Sequence, residues 1–239
     1  MRRLSATALV AGLGLAWLTA APLSAQAITG AQYAAPTTRY AHGILGDAVE
    51  WGALVLTLSD GTRRRHVLPQ RLVFEDTAPR LADLDGDGAP EVIVVESDRR
   101  KGARLAIWSG AGRMTATPHI GQANRWLAPV GAADLDGDGR MEIAYVDRPH
   151  LARVLRIWRY SDTTLTQVAS AAGLTNHRIG WPDIPGGLRR CDKGVEMVLA
   201  SADWRQVIAA RFDGQKITAR AIAPLADKDS LNAALTCPR

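Results

Sequence analysis

The chain has 239 residues, 29 Lys and Arg against 24 Asp and Glu, a formal net charge of +5, and two cysteines. Setting aside Arg2 and Arg3, which belong to an N-terminal address, the balance is 27 against 24, which is not the electrostatics of a nucleic-acid binder. No stretch after residue 27 is long and apolar enough to cross a bilayer as a helix.

Residues 1–27 have the pattern of a signal peptide. Met1-Arg2-Arg3 is a basic start, Leu4 to Pro22 is apolar and uncharged, and Ala25-Gln26-Ala27 is a small-x-small cleavage site. A membrane anchor fits less well, because Ser, Thr and Gly interrupt the apolar stretch and the cleavage signal follows directly. No Cys lies near the cut to take a lipid. The expected mature chain starts at Ile28 and forms one domain, 28–239, in the periplasm or outside the cell.

Gly52–Leu58 and Arg63–Leu68 read as two strands around an Asp60-Gly61 turn, the last strands of a first unit. The basic runs Arg63-Arg64-Arg65-His66 and Arg99-Arg100-Lys101 both lie beside turn residues and read as solvated hairpin tips. Arg80–Leu84 is the next strand, and it enters the acidic loop Asp83-Leu84-Asp85-Gly86-Asp87-Gly88-Ala89-Pro90-Glu91. Strands Glu91–Ser97, Ala103–Ser109 and Arg113–Ile120 follow, separated by turns at Asp98–Gly102 and Gly110-Ala111-Gly112. The same course then repeats. Val130–Leu135 leads into Asp134-Leu135-Asp136-Gly137-Asp138-Gly139-Arg140-Met141-Glu142, 51 residues after the first loop, and then into Met141–Val146, Ala152–Tyr160 and Thr164–Ala169. Trp108 and Trp158 recur at equivalent strand positions, which marks them as core.

A later unit keeps the strands Val195–Ser201, Gln206–Phe212 and Lys216–Ile222, with Asp213-Gly214 as a hairpin turn. Aligning Glu196 with Glu142 places Leu188, Arg190 and Asp192 where Asp134, Asp136 and Asp138 stand, so this unit is expected to hold no ion. Ser230–Leu235 reads as a short helical turn. Four short strands per unit are the content of one propeller blade. The expected fold is all-β, a small closed β-propeller of four-stranded blades, with four blades preferred and five left open. In an exported chain Cys191 and Cys237 are expected to form a disulfide tying the tail to the last unit.

Each acidic loop has carboxylates at positions 1, 3, 5 and 9 and Gly at position 6. Four carboxylates in nine residues repel one another unless a cation sits between them. With the carbonyl at position 7 they form a hard-oxygen cage, which suits calcium better than zinc or copper. The plain alternative is an Asp/Gly hairpin turn; two copies at matching positions weigh against it. An EF-hand is excluded because position 12 is Val94 or Tyr145 instead of Glu, and the flanks read as strands. A parallel β-helix calcium repeat is excluded by the long period.

The doubled Asp-Leu-Asp-Gly-Asp-Gly-x-x-Glu, set in four-strand units, resembles the FG-GAP/VCBS repeat family. Its members form β-propellers, as in the integrin α-subunit head and many exported bacterial proteins. The resemblance implies two calcium ions. The implied ligands are Asp83, Asp85, Asp87, Ala89 (by its carbonyl) and Glu91 in one unit, and Asp134, Asp136, Asp138, Arg140 (by its carbonyl) and Glu142 in the other. The Phe-Gly signature is reduced to Val130-Gly131-Ala132, and the outer units lack the loop. Fold and metal carry over, while a specific partner does not.

No catalytic motif stands out. There is no Gly-x-Ser-x-Gly elbow, Gly110-Ala111-Gly112 lacks a dinucleotide fingerprint, and His42, His66, His119, His150 and His177 are scattered in sequence. Trp126, Trp181 and Trp204 lie near loops and read as core, or as a binding cluster if they meet on one face. The leading expectation is a non-catalytic, calcium-binding interaction module for a protein or glycan. The alternative is a hydrolase or lyase working at the propeller channel, which an inward cluster of His, Asp and Arg would favour.

Overall fold

The computed structural model describes residues 26–237, so the expected signal peptide lies almost wholly outside the described residues. Among the described residues the fold is all-β, apart from one short helix. An N-terminal group has β1 (Ile28–Thr37), β2 (Glu50–Leu58) and β3 (Arg63–Val67). The first loop-bearing unit has β4 (Leu72–Phe74), β5 (Arg80–Ala82), β6 (Glu91–Asp98), β7 (Gly102–Ser109) and β8 (Gly112–Ala116). The second has β9 (Leu127–Ala133), β10 (Glu142–Asp147), β11 (Val154–Ser161) and β12 (Thr164–Ala172). The third has β13 (Leu174–Thr175), β14 (Gly187–Cys191), β15 (Gly194–Ser201), β16 (Gln206–Phe212) and β17 (Ile217–Pro224), and α1 (Asp229–Ala233) follows.

All strand pairs are antiparallel, and the three units share one register. Ala82 faces Glu91 and Leu72 faces Asp98 in the first; Ala133 faces Glu142 and Leu127 faces Asp147 in the second. Thus β4 and β5 together do the work of the unbroken β9. In the third unit β13 and β14 play that part, with residues 176–186 inserted between them, so Arg189 faces Glu196 and Leu174 faces Ser201.

Side-chain alternation along each strand explains how the units stack. Val92 and Val94 point toward Leu54, Leu56 and Ile28 of the N-terminal group, whereas Ile93 and Val95 point toward Ile143, Tyr145 and Trp126 of the second unit. Ala144 and Val146 in turn meet Val195, Met197 and Leu199 of the third. Each inner sheet is therefore buried on both faces, and each large aliphatic side chain so buried contributes roughly 1.5–3 kcal/mol.

The ends differ from the expected closed ring. The N-terminal group joins the sheet of the first unit, through Trp51 opposite Phe74. Among the described residues none of its strands pairs with a strand of the third unit. The outer face of β15 and β16 is instead covered by α1, with Leu231 packed on Val198, Ala200 and Val207. Sheet packing on that face thus ends in a helical cap, and the expected helix starts and stops earlier than Ser230–Leu235. The N-terminal group and the third unit still meet through loops, where the Gly180 amide donates to the Ile44 carbonyl at 3.0 Å. Cys191 and Cys237 form a disulfide with Cα atoms 5.7 Å apart, which pins the tail beside β14. Reduction, or Cys237→Ser, should lower unfolding free energy by roughly 2–4 kcal/mol, read by denaturant titration with and without reductant.

The seam between the N-terminal group and the first unit is polar and buried. Glu75 lies there with its carboxylate on His42 Nδ1 at 2.5 Å and on the Ser97 hydroxyl, while its carbonyl accepts from Trp126 Nε1 at 2.8 Å. Asp76 pairs with Arg80. Burial, and then the neighbouring Glu75, Asp47 and Asp76, push the Glu50 carboxyl up to about 9. A folded-state value above the unfolded one means the native state binds the extra proton, so stability falls as pH rises from about 4.5 to about 9. Glu50→Gln should flatten that decline and raise stability at pH 8 by roughly 1–3 kcal/mol, read by chemical denaturation across the pH range.

Candidate metal centres and the opposite face

Both acidic loops are built the same way. Gly86 and Gly88, like Gly137 and Gly139, have φ between 79° and 86°, a turn that L side chains rarely adopt. Leu84 and Leu135 are 3% exposed and anchor each loop in the core. Asp83 accepts from the amides of Gly86 at 2.8 Å and Gly88 at 3.0 Å; Asp134 accepts from Gly137 at 2.7 Å and Gly139 at 3.0 Å. Glu91 and Glu142, buried at the start of β6 and β10, accept from the amides of Leu84 and Leu135 at 2.9 Å.

Asp83, Asp85 and Glu91 each bring one oxygen within 4.8 Å of the others, as do Asp134, Asp136 and Glu142. These two groups could hold a metal ion. The position-5 carboxylates lie outside those triples. Asp87 takes the Ala89 amide at 2.7 Å, and Asp138 takes the Arg140 amide at 2.9 Å as well as its guanidinium. That contact, side chain before backbone, holds the Asp138 carboxyl down at about 2.

The corresponding Glu residues of the three units differ in their counter-charge. Burial pushes the Glu91 carboxyl up, the Leu84 amide opposes this, and Asp85 and Asp87 push it further. Burial also leaves Glu142 above its ordinary value, though Arg159 Nε donates to it at 2.6 Å. In the third unit burial pushes Glu196 up, but Arg189 and then Arg220, at 2.6 and 2.8 Å, outweigh it and hold the carboxyl below its ordinary value. Here the expected alignment of Leu188, Arg190 and Asp192 with the loop aspartates fails. Six residues separate Arg189 from Glu196, against eight between Ala133 and Glu142, and Cys191 faces Gly194 across a two-residue turn. No acidic loop exists there to degenerate.

The opposite ends of the strands carry a different chemistry. Three of the five histidines, scattered in sequence, come together there. His150 Nε2 lies 3.0 Å from His177 Nδ1, and His177 Nε2 lies 2.9 Å from the Trp181 carbonyl. Burial, and then the charge of His177, lower the His150 value to about 4. His42, His150 and Trp126 line a pocket of about 220 Å³, with Arg125, Arg148, Leu151 and Ile179 at its edge. His66 and His119 stay apart, one against Trp108 and the other on the Gly102 carbonyl. Trp126 is core, as is Trp108, whereas Trp158 is half-buried and donates to the Tyr145 hydroxyl. Trp181 and Trp204 meet edge to face at 5.4 Å, and the Arg178 guanidinium lies 4.6 Å from the Trp204 ring. Ile179 and Leu151 are exposed there, at 68% and 63%. Sequence spacing gave no hint of this cluster, because five separate connections supply it.

Residues 83–145 match the model of the FG-GAP-like repeat. The matched segment spans both acidic loops and the strands between them. Neither the curated proteins nor the solved structures gave a match.

Proposed function

We propose that the chain is an exported, calcium-stabilised β-propeller-type module, built from four units in an open rather than strand-closed array. It binds a protein or glycan and carries out no reaction of its own. Calcium is the ion its donors suit. Asp83, Asp85, Asp87 and Glu91, with the Ala89 carbonyl, would hold one ion; Asp134, Asp136, Asp138 and Glu142, with the Arg140 carbonyl, would hold the other. All are hard oxygen donors, with no thiolate or imidazole among them. Bound calcium would neutralise the loop carboxylates and fix the loops. The disulfide fits an oxidising compartment such as the periplasm or the exterior, and no helix among the described residues is long and apolar enough to cross a membrane.

The observation that carries the binding role is the face opposite the loops, where Trp181, Trp204 and Arg178 lie beside exposed Ile179 and Leu151. Large aromatic side chains with Arg are the usual anchors of a recognition surface. The catalytic reading has one observation in its favour, the His42–Glu75 pair at the pocket. Ser97 bonds to Glu75 and not to His42. The imidazole therefore has no hydroxyl in hand to activate, and the arrangement lacks the relay that nucleophilic catalysis needs.

Adding millimolar calcium to chelator-treated protein should raise stability by roughly 1–2 kcal/mol, for sites with Kd on the order of 10⁻⁴–10⁻³ M. The melting temperature should rise by roughly 3 °C or more. An unchanged melting temperature, with no calcium in the dialysed protein, would remove the metal from this reading. A ligand captured from the native envelope or growth medium should lose at least about tenfold in affinity for the Ile179→Asp and Arg178→Glu variants, with no change in melting temperature. Turnover of a substrate that disappears on His42→Ala would replace the binding role with the catalytic one.

A further inference from the structure

The two acidic loops share the sequence Asp-Leu-Asp-Gly-Asp-Gly, yet their surroundings differ in two cations: Arg140, which pairs with Asp138 where the first loop has Ala89, and Arg159, which alone reaches Asp136 and Glu142. In the second loop Arg159, from β11, reaches back across the carboxylates. Its Nε donates to Glu142 at 2.6 Å, and its Nη2 donates to Asp136 at 2.6 Å and lies 3.3 Å from Asp138. The side chain is 14% exposed, so it is built into the loop and is not a passing surface contact. In the first unit, extending the β6–β7 register by one step puts Ser109 opposite Glu91, where Arg159 stands opposite Glu142. Ser109 is neutral, and its hydroxyl serves its own hairpin, accepting from the Ala111 amide at 3.2 Å. Among the described residues no Lys, Arg or His forms an ion pair with Asp83, Asp85, Asp87 or Glu91.

A second difference points the same way. In the core cluster that holds Leu84 of the first loop, the neighbouring unit contributes Tyr160, 3% exposed, with a buried hydroxyl that has no hydrogen-bond partner. The residue in the same role against Leu135 of the second loop is Phe212, which offers no polar atom. The first loop thus has uncompensated carboxylates and an orphaned polar group, and the second has a resident guanidinium and an apolar cover.

We propose that Arg159 is a built-in counter-cation of the second loop, and that the two loops are therefore inequivalent calcium sites. The first binds calcium at lower concentration. The second admits an ion only when the guanidinium leaves Asp136 and Glu142, because two cations cannot share those oxygens without strong repulsion. This rests on the calcium reading above and adds to it an order of filling and the residue that sets it.

The test is calorimetric titration of chelator-treated protein with calcium chloride, using the wild type, Arg159→Ser, Ser109→Arg and Asp83→Asn. The wild type should show one tighter event and a second at least tenfold weaker. Asp83→Asn should remove the tighter one, which assigns it to the first loop. Arg159→Ser, which copies the first unit, should tighten the second event at least tenfold. It should also make the melting temperature more dependent on calcium, since buried Glu142 then keeps only the Leu135 amide and has no side-chain cation. Ser109→Arg, which copies the second unit, should weaken the first event at least tenfold, and it decides the matter if Arg159→Ser does not fold. Two events of equal affinity in the wild type, unmoved by either exchange, would overturn the role of Arg159 and leave the calcium reading standing. No calcium heat in any variant, with no thermal shift, would overturn both.

Discussion

The fold depends on a buried carboxylate that recurs at the head of the second strand of each complete unit. Glu91 and Glu142 each accept the amide of the loop Leu, so the carboxylate closes the turn that carries the aspartates. A buried carboxylate is unfavourable without compensation, and compensation by a positive charge is the strongest remedy available. The three units meet this requirement in graded ways: no side-chain cation for Glu91, Arg159 for Glu142, and Arg189 with Arg220 for Glu196. The unit with two internal cations has no acidic loop, only the two-residue turn between Cys191 and Gly194.

Strand alternation turns these units into an array. Because successive residues of β6 and β10 face opposite neighbours, every inner sheet needs a sheet on each side, and an array of such sheets must end somewhere. A closed ring removes both ends. This chain finishes the third unit differently, with Leu231 of α1 against the outer face and a disulfide holding the tail in place. Five residues of helix would be marginal in isolation, so the tertiary contact and the crosslink account for its position.

The repeating parts were legible because they obey local rules. The acidic loops, the strands from Glu91 to Phe212 and the hairpin turns between them follow from Gly placement and β-branched runs, and observed boundaries lie within a few residues of those expected. β1 was not legible, since Ala-Gln-Tyr-Ala-Ala has little strand propensity and is held by pairing with β2. The split inner strands β4 and β13 were missed as well, being two or three residues long. Nor could sequence spacing foresee the short turn at Asp192-Lys193, because Glu196 keeps its place in the register while the preceding segment loses two residues. The meeting of His42, His150 and His177 arises from tertiary packing alone.

The two ends of the strands divide the work. Loops that close the first two strands of a unit carry carboxylates, and connections at the far end carry Trp181, Trp204, Arg178 and the histidines. Roughly 15–20 Å of strand lie between them, too far for a cation at one end to touch a ligand at the other. Any influence of the loops on the aromatic face must therefore pass through packing. Leu84 belongs to the same core cluster as Tyr160, Tyr145 and Trp126, and that cluster reaches from the first loop to the pocket beside His150. Leu135 plays the corresponding part between the second and third units. Ordering a loop fixes its Leu, and the Leu fixes the spacing of adjacent sheets at one end.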